Sequence, residues 1–167
     1  MKLPKTYTTR NETGCCAIPN IEAWDNKEIT FRDRKFVRMH TKSFLHIPIN
    51  MSRVMAAIQK EASKAGALMP TQEAMILSRD LSPWKAEQLF AVTNNVPDAD
   101  NIELSGKFLT MVFEGPYQDA KKWYEALQDF AKSKSKNVLK TYFFYTNCPK
   151  CAKHYGKNYT IGLAQIE

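Results

Sequence analysis

Long apolar runs are missing from this sequence of 167 residues. No segment approaches the length that a bilayer-spanning helix needs, and residues 1–10 carry lysines without the apolar stretch of a secretion signal. These absences predict a cytoplasmic protein with no membrane partner. Hydrophobic residues make up 44% of the chain, which is enough to fill one well-formed core, so we expect a single domain.

The motifs of common enzymes and DNA readers are also missing. The sequence has no Gly-x-Ser-x-Gly, no glycine-rich phosphate loop and no His-Glu-x-x-His, so any hydrolysis would use residues outside these motifs. Before Lys35 there are no paired amphipathic helices, so direct sequence-specific nucleic-acid binding is not expected. The net charge of +7 is spread along the chain, and its densest run, Lys132 to Lys140, falls at a predicted helix end, where cations complement the helix dipole.

Periodic apolar residues predict an α+β fold in which the order strand, helix, strand, strand occurs twice. Residues 1–34 have little periodicity and are interrupted by prolines and a glycine, so they are predicted to form an arm packed on the domain. The domain covers residues 35–167, with halves at about 35–100 and 101–167. The halves are too different in sequence to prove a duplication, so this prediction depends on the order of the elements.

Each predicted half is built on one amphipathic helix. In the first half the helix covers residues 51–66, with Asn50 or Ser52 as its cap. In the second half it opens at Gly115 and Pro116 and runs to about residue 134. Two such halves can pack both helices on one face of an antiparallel sheet. The strands are predicted at residues 35–49, 74–79, 88–94, 108–113, 141–146 and 159–166.

The start of the second helix resembles the GyrI-like, or effector-binding (SHS2-type), superfamily. The match consists of Phe113-Glu114-Gly115-Pro116-Tyr117 after a strand, followed by Trp123 in the helix. Further segments are similar to a stand-alone group within this superfamily that is often labelled hydrolase: Trp24-Asp25, Phe44-Leu45-His46-Ile47-Pro48, Ser82-Pro83-Trp84, Leu104-Ser105-Gly106 and Cys148-Pro149-Lys150-Cys151-Ala152-Lys153. The resemblance implies binding of a small, aromatic or amphipathic molecule in a cleft between the two halves.

Aromatic side chains dominate the ligand site that this resemblance implies. Flat aromatic faces bind planar or cationic ligands by dispersion and quadrupole attraction. Trp123 and Phe90 also fit ordinary core positions, and Tyr142 and Tyr145 cannot face the same side of a regular strand. Drug-sensing members carry an acid on this strand, whereas here it has none, which argues against a preference for cations. The candidate ligand-binding residues are Trp84, Phe90, Tyr117, Trp123, Tyr142 and Tyr145.

Two other functions remain open. Some stand-alone members of the superfamily hydrolyse strained molecules, and in that case Glu114 is the candidate general base or water-orienting group in the same cleft. The alternative for Glu114 is a solvated or helix-capping carboxylate. The chain could instead be the sensor component of a transcription regulator without its own DNA-binding module. Whether it is an enzyme is left undecided by the sequence.

The four cysteines carry the sharpest chemical signal. Cys148 and Cys151 have the spacing of a zinc-knuckle half-site, and the only further thiols are those of Cys15 and Cys16 in the arm. A structural zinc therefore requires the arm to fold back over the last hairpin. Because neighbouring side chains in an extended chain point apart, His154 is a possible substitute for one arm cysteine. A redox-active dithiol and plain free thiols are the alternatives.

Overall fold

The computed structural model describes residues 3–167 and has the predicted α+β class, with seven antiparallel strands and two main helices in this part of the chain. Its strands are β1 (Lys27–Phe44), β2 (Ile47–Pro48), β3 (Ile76–Ser82), β4 (Lys85–Ala91), β5 (Asn101–Glu114), β6 (Val138–Tyr145) and β7 (Tyr159–Ile166). The helices are α1 (Ile21–Trp24), α2 (Met51–Lys64), α3 (Ala120–Ser133) and α4 (Pro149–Tyr155). Within residues 3–167, no helix is both long and apolar enough to cross a bilayer.

The chain divides into two compact units. One unit, called the central unit here, consists of residues 33–70 and 74–104. The other, called the terminal unit, consists of residues up to 32 together with 71–73 and 105–167, so that it contains the N-terminal arm. The element order strand, helix, strand, strand occurs once around α2 and once around α3, with the short β2 and α4 as additions.

In the central unit, α2 packs on a three-stranded antiparallel arrangement. β4 lies between β1 and β3, with Phe36 opposite Ala91 and Ile76 opposite Phe90. The apolar stripe of α2 recurs at helical spacing, so its buried residues face the strands and complete a core. The buried core residues are Val37, Ile58, Ala62, Ala67, Val92 and Val96.

The terminal unit repeats this pairing scheme around α3. β7 lies between β5 and β6, with Met111 and Phe143 both opposite Gly162. A Cβ atom at Gly162 would come within 2.7 Å of Leu127 Cδ1 on α3, so glycine is needed for the close approach of helix and strand. Trp123, Leu127 and Ala131 form the buried stripe of α3.

Several predicted boundaries were wrong. β1 begins at Lys27, inside the segment assigned to the arm, because Ile29 and Phe31 alternate inward between polar residues and extend the strand. β3 and β4 are shifted toward each other relative to the predicted strands, because the chain reverses in a tight turn in which Ser82 pairs with Lys85.

Two local expectations also need correction. Asn50 stands at the N-cap of α2 without a side-chain cap, because its Oδ1 accepts a hydrogen bond from the Lys42 N–H at 2.8 Å. The segment after Cys148, for which no helix was predicted, forms α4. This helix begins at Pro149, where the missing N–H is not needed, and ends at Gly156, which adopts a left-handed φ of 70°.

Candidate functional site

The arm and the segment after β6 bring the four cysteines together in the terminal unit. Their Sγ atoms all lie within 4.8 Å of one another, and all four residues are free cysteines. Cys148 Sγ lies 4.0 Å from Cys15 Sγ, 3.8 Å from Cys16 Sγ and 3.2 Å from Cys151 Sγ. The Cys15 and Cys16 sulfurs are 3.8 Å apart. The prediction that these four thiols converge is confirmed.

Three of these four separations are close to the edges of a metal tetrathiolate. Zinc binds thiolates at about 2.3 Å in a tetrahedron, which places the sulfurs about 3.8 Å apart. Three of the four measured Sγ separations lie between 3.8 and 4.0 Å, and the remaining Cys148–Cys151 separation of 3.2 Å is longer than the roughly 2.05 Å of a disulfide bond. Zinc could therefore enter with small side-chain adjustments.

A turn at Thr13 explains how adjacent cysteines can face one site. The Thr13 hydroxyl accepts hydrogen bonds from the backbone N–H groups of Cys15 and Cys16, at 3.2 and 3.1 Å. Gly14 adopts a φ of 73°, so the chain is not extended here. The side chains of Cys15 and Cys16 therefore need not point apart, as they would in an extended chain. The signal for this turn, Thr-Gly immediately before the cysteines, is present in the sequence.

Hydrogen bonds outside the cluster hold the arm in place. The Tyr155 hydroxyl donates to the Cys16 carbonyl at 2.8 Å and accepts from the Glu12 N–H at 3.0 Å. Tyr7 donates to the Thr146 carbonyl at 2.9 Å, and burial raises the pKa of Tyr7. The arm is therefore positioned by phenols as well as by its thiols.

The thiols differ in acidity. Burial favours a high pKa for Cys151, but hydrogen bonds from Thr13 and the other cysteines outweigh it and lower the pKa of Cys151 to about 7. Burial raises the pKa of Cys16. Cys151 is therefore the thiol of the cluster whose pKa is lowered toward neutral pH, which favours metal binding by its thiolate.

His154 stands apart from the four sulfurs. Its Nε2 lies 3.5 Å from Glu12 Oε1, and its ring packs edge-on against Tyr155 with 5.2 Å between centroids. The four cysteines form the candidate metal cluster by themselves, so the histidine is not needed to make up four ligands.

The aromatic candidates of the terminal unit occupy different environments. Trp123 is buried, stacked on Phe113 at 5.5 Å and edge-on to Phe143 at 6.2 Å. Tyr142 is also buried, while Tyr145 on the opposite face of β6 is exposed, as the strand geometry predicts. Tyr117 is exposed.

In the central unit, Trp84 and four residues that were not among the candidates form an exposed apolar tip. Phe44 is 57% exposed and Trp84 is 55% exposed, and their rings meet at 5.7 Å. Leu45, Ile47 and Ile49 are exposed beside them. We call these five residues the hairpin tip. The sixth aromatic candidate, Phe90, instead packs half-buried against the core that includes α2.

The backbone of the hairpin tip is strained. Leu45 and His46 have φ angles of 48° and 69°, and turns of this kind favour asparagine and glycine. Hydrogen bonds from Ser43 N–H to the Trp84 carbonyl and from His46 N–H to the Pro83 carbonyl tie the tip together. Phe44, Leu45 and Ile47 could have been found from their place in the Phe44–Pro48 segment that carries the resemblance.

The remaining polar candidate, Glu114, lies at the surface. It is exposed at the end of β5, opposite Tyr159 of β7.

The fold, an α+β chain with two strand–helix–strand–strand units, agrees with the comparisons to known proteins. A family model described as bacterial hydrolase matches residues 6–166, and the chain therefore belongs to the bacterial hydrolase family. The resemblance predicted from the sequence is confirmed. No curated protein matches the sequence significantly.

Solved structures share the fold at low sequence identity. The EcmrR C-terminal domain has a TM-score of 0.63 at 17% identity, with 84% of this chain and 94% of that chain covered. An uncharacterised conserved protein from Listeria innocua gives 0.63 at 13% identity, with 87% and 94% covered. A hydrolase from Listeria innocua gives 0.59 at 15% identity, with 84% and 91% covered.

Proposed function

We propose that the chain binds a small aromatic or amphipathic molecule, with the hairpin tip as a contact surface. The observation that supports this most directly is the exposure of the Phe44–Trp84 ring pair. Apolar side chains in water lose the stabilisation that burial would give, about 25 cal/mol per Å². The strained turn at Leu45 and His46 adds a further cost, and backbone strain of this kind clusters at functional sites. A ligand covering the tip would recover the burial.

The ligand class follows from the surface chemistry of the tip. The edge-on ring pair offers a flat aromatic face and the aliphatic side chains extend it, so planar apolar groups fit. Lys42 of β1 and Lys85 of β4 are exposed and lie opposite each other in the strand register, next in sequence to residues near the rings. A molecule with an apolar body and a polar end would contact both parts of this surface.

Tryptophan fluorescence tests the proposal. Trp24 and Trp123 are buried, so Trp84 is the solvent-exposed reporter among the three tryptophans, all of which the structure describes. Planar dyes should quench it with saturation. Phe44→Ala keeps the reporter and should weaken affinity about tenfold or more, as expected from losing burial of one aromatic side chain. Leu139→Ala, which shortens an exposed apolar residue of the terminal unit, is the matched control. Identical curves for wild type and folded Phe44→Ala would exclude the tip.

Hydrolysis of a strained or activated small molecule is the second candidate function, favoured by the family to which the chain belongs. Glu114 would serve as the base that activates water. With an activated aryl ester as substrate, we expect Glu114→Gln to abolish turnover, because the amide keeps the shape but accepts no proton. Glu125→Gln changes an exposed glutamate of α3 and is the control. Full turnover by Glu114→Gln would reject this role.

We further propose that the cysteine cluster holds a structural zinc ion. The support is the tetrahedral spacing of the four sulfurs and the turn at Thr13 that aims both arm thiols inward. All four ligands come from the protein, so no coordination position is left for a substrate, which is typical of structural zinc sites.

Elemental analysis of protein purified without chelator tests this assignment. We expect about one zinc per chain, and its loss in Cys148→Ser/Cys151→Ser. Less than about a tenth of an equivalent of metal, with four titratable thiols in the native protein, would leave free thiols as the correct description.

A further inference from the structure

A pocket of about 180 Å³ lies next to the cysteine cluster, within the terminal unit. Arg10, Ile18 and Ile21 of the arm form one wall, and Asn147, Lys157 and Tyr159 contribute to the other. At about 30 Å³ for each water, the space holds roughly six waters or one compact organic molecule. The pocket therefore has the size of a small-ligand site.

The charged side chains at this pocket are cations. Within residues 3–167, Arg10 and Lys157 are the charged residues of its lining, which includes no acid. Glu12, outside the lining, binds Arg10 Nε through Oε2 at 2.6 Å and so orients the guanidinium. A guanidinium has five N–H donors, and this contact uses one of them. Arg10, Glu12 and Lys157 together still carry a net positive charge, which favours an anion.

Asn147 adds a neutral donor. Its Oδ1 accepts a hydrogen bond from Thr146 Oγ1 at 3.1 Å. Its Nδ2 is buried, and in the part of the chain that the structure describes it has no hydrogen-bond partner. Buried polar groups are rarely left unpaired, so an acceptor belongs at this position. Asn147 is a lining residue, so a rotation of its side chain would bring this amide to a carboxylate oxygen in the pocket.

We propose that this pocket binds a small organic carboxylate. The carboxylate would lie between Arg10 and Lys157 and within reach of the Asn147 amide. The apolar body would pack on Ile18 and Ile21, which explains why an organic acid fits better than a bare inorganic anion. This site is separate from the proposed contact surface at the hairpin tip and goes beyond the proposed function.

Titration of the full chain with benzoate, followed by amide chemical shifts in isotope-labelled protein, tests the site. Benzoate should bind with saturation and shift residues 147 and 157–159. Benzyl alcohol, which is neutral, and inorganic phosphate, which lacks an apolar body, should each bind more weakly. Arg10→Gln and Lys157→Gln should each lower benzoate affinity about fivefold, the scale of an exposed ion pair. Lys153→Gln, an exposed lysine of α4 outside the lining, should leave the affinity unchanged.

Several results would overturn the assignment. These are no saturation below about 10 mM benzoate, equal binding of benzyl alcohol or phosphate, or an equal loss in Lys153→Gln. Phe44→Ala separates this site from the hairpin tip: unchanged benzoate affinity supports the pocket, and loss of benzoate binding places the acid at the tip instead.

Discussion

Removing the proposed zinc should lower the melting temperature of the protein measurably. The ion would link Cys15 to Cys148, which are 133 positions apart, and would bind the folded chain in preference to the unfolded one. With free zinc about 100-fold above its dissociation constant, the stabilisation is about 2.7 kcal/mol. For a chain of this length, about 2–4 °C per kcal/mol then gives a decrease of about 5–11 °C on chelation. Differential scanning calorimetry with and without chelator measures it.

The control for this experiment is the double variant Cys148→Ser/Cys151→Ser, which should melt lower than wild type and show no further response to chelator. Trypsin gives a second measurement, because Arg10 is exposed in the arm and its peptide bond should be cut faster once the metal is gone. The anchors at Tyr7 and Tyr155 would keep the rest of the arm attached. A wild-type melting temperature unchanged by chelator, in protein shown to contain zinc, would refute the proposal that zinc stabilises the fold by linking the arm to α4.

Three further predictions concern acidity and packing. Zinc affinity should fall as the pH is lowered from about 8 to 6, because protons compete for thiolates including that of Cys151, whose pKa is about 7. An indicator dye measures the zinc released, and a pH-independent affinity would contradict thiolate ligation. Trp123→Ala should cost about 3–5 kcal/mol in denaturant unfolding, and a cost below about 1 kcal/mol would show that its stacking on Phe113 does not stabilise the unit. Gly162→Ala should cost about 1–3 kcal/mol by crowding Leu127, and a neutral effect would show that α3 can shift.

The two main helices and the last strand could be predicted because their signals are periodic and bounded. α2 begins at the predicted Met51, and β7 has the predicted limits. α4 was missed because the Cys-x-x-Cys spacing was interpreted only as a metal half-site, although Pro149 and Gly156 are ordinary start and stop signals. Local signals were therefore present even where the prediction failed.

The candidate site was predictable to different degrees. Convergence of the cysteines followed from counting the thiols in the sequence. The geometry that permits it depends on hydrogen bonds to the Thr13 hydroxyl, and sequence periodicity does not predict such bonds. Apolar runs such as Phe44 to Ile49 are expected in a core, so the exposure of the hairpin tip could not be deduced from hydrophobicity. The exposure of the hairpin tip depends on β1 ending at Phe44.

The separation of the four cysteines along the chain would also affect when the proposed zinc site can form. Cys15 and Cys16 leave the ribosome 133 and 132 positions before Cys148. At about 5–20 residues per second, they wait about 7–27 s before their partners are synthesised. During that interval the thiols of Cys15 and Cys16 are present without those of Cys148 and Cys151. The complete site can assemble only after Cys151 has been added, so metal uptake would report that translation has passed α4.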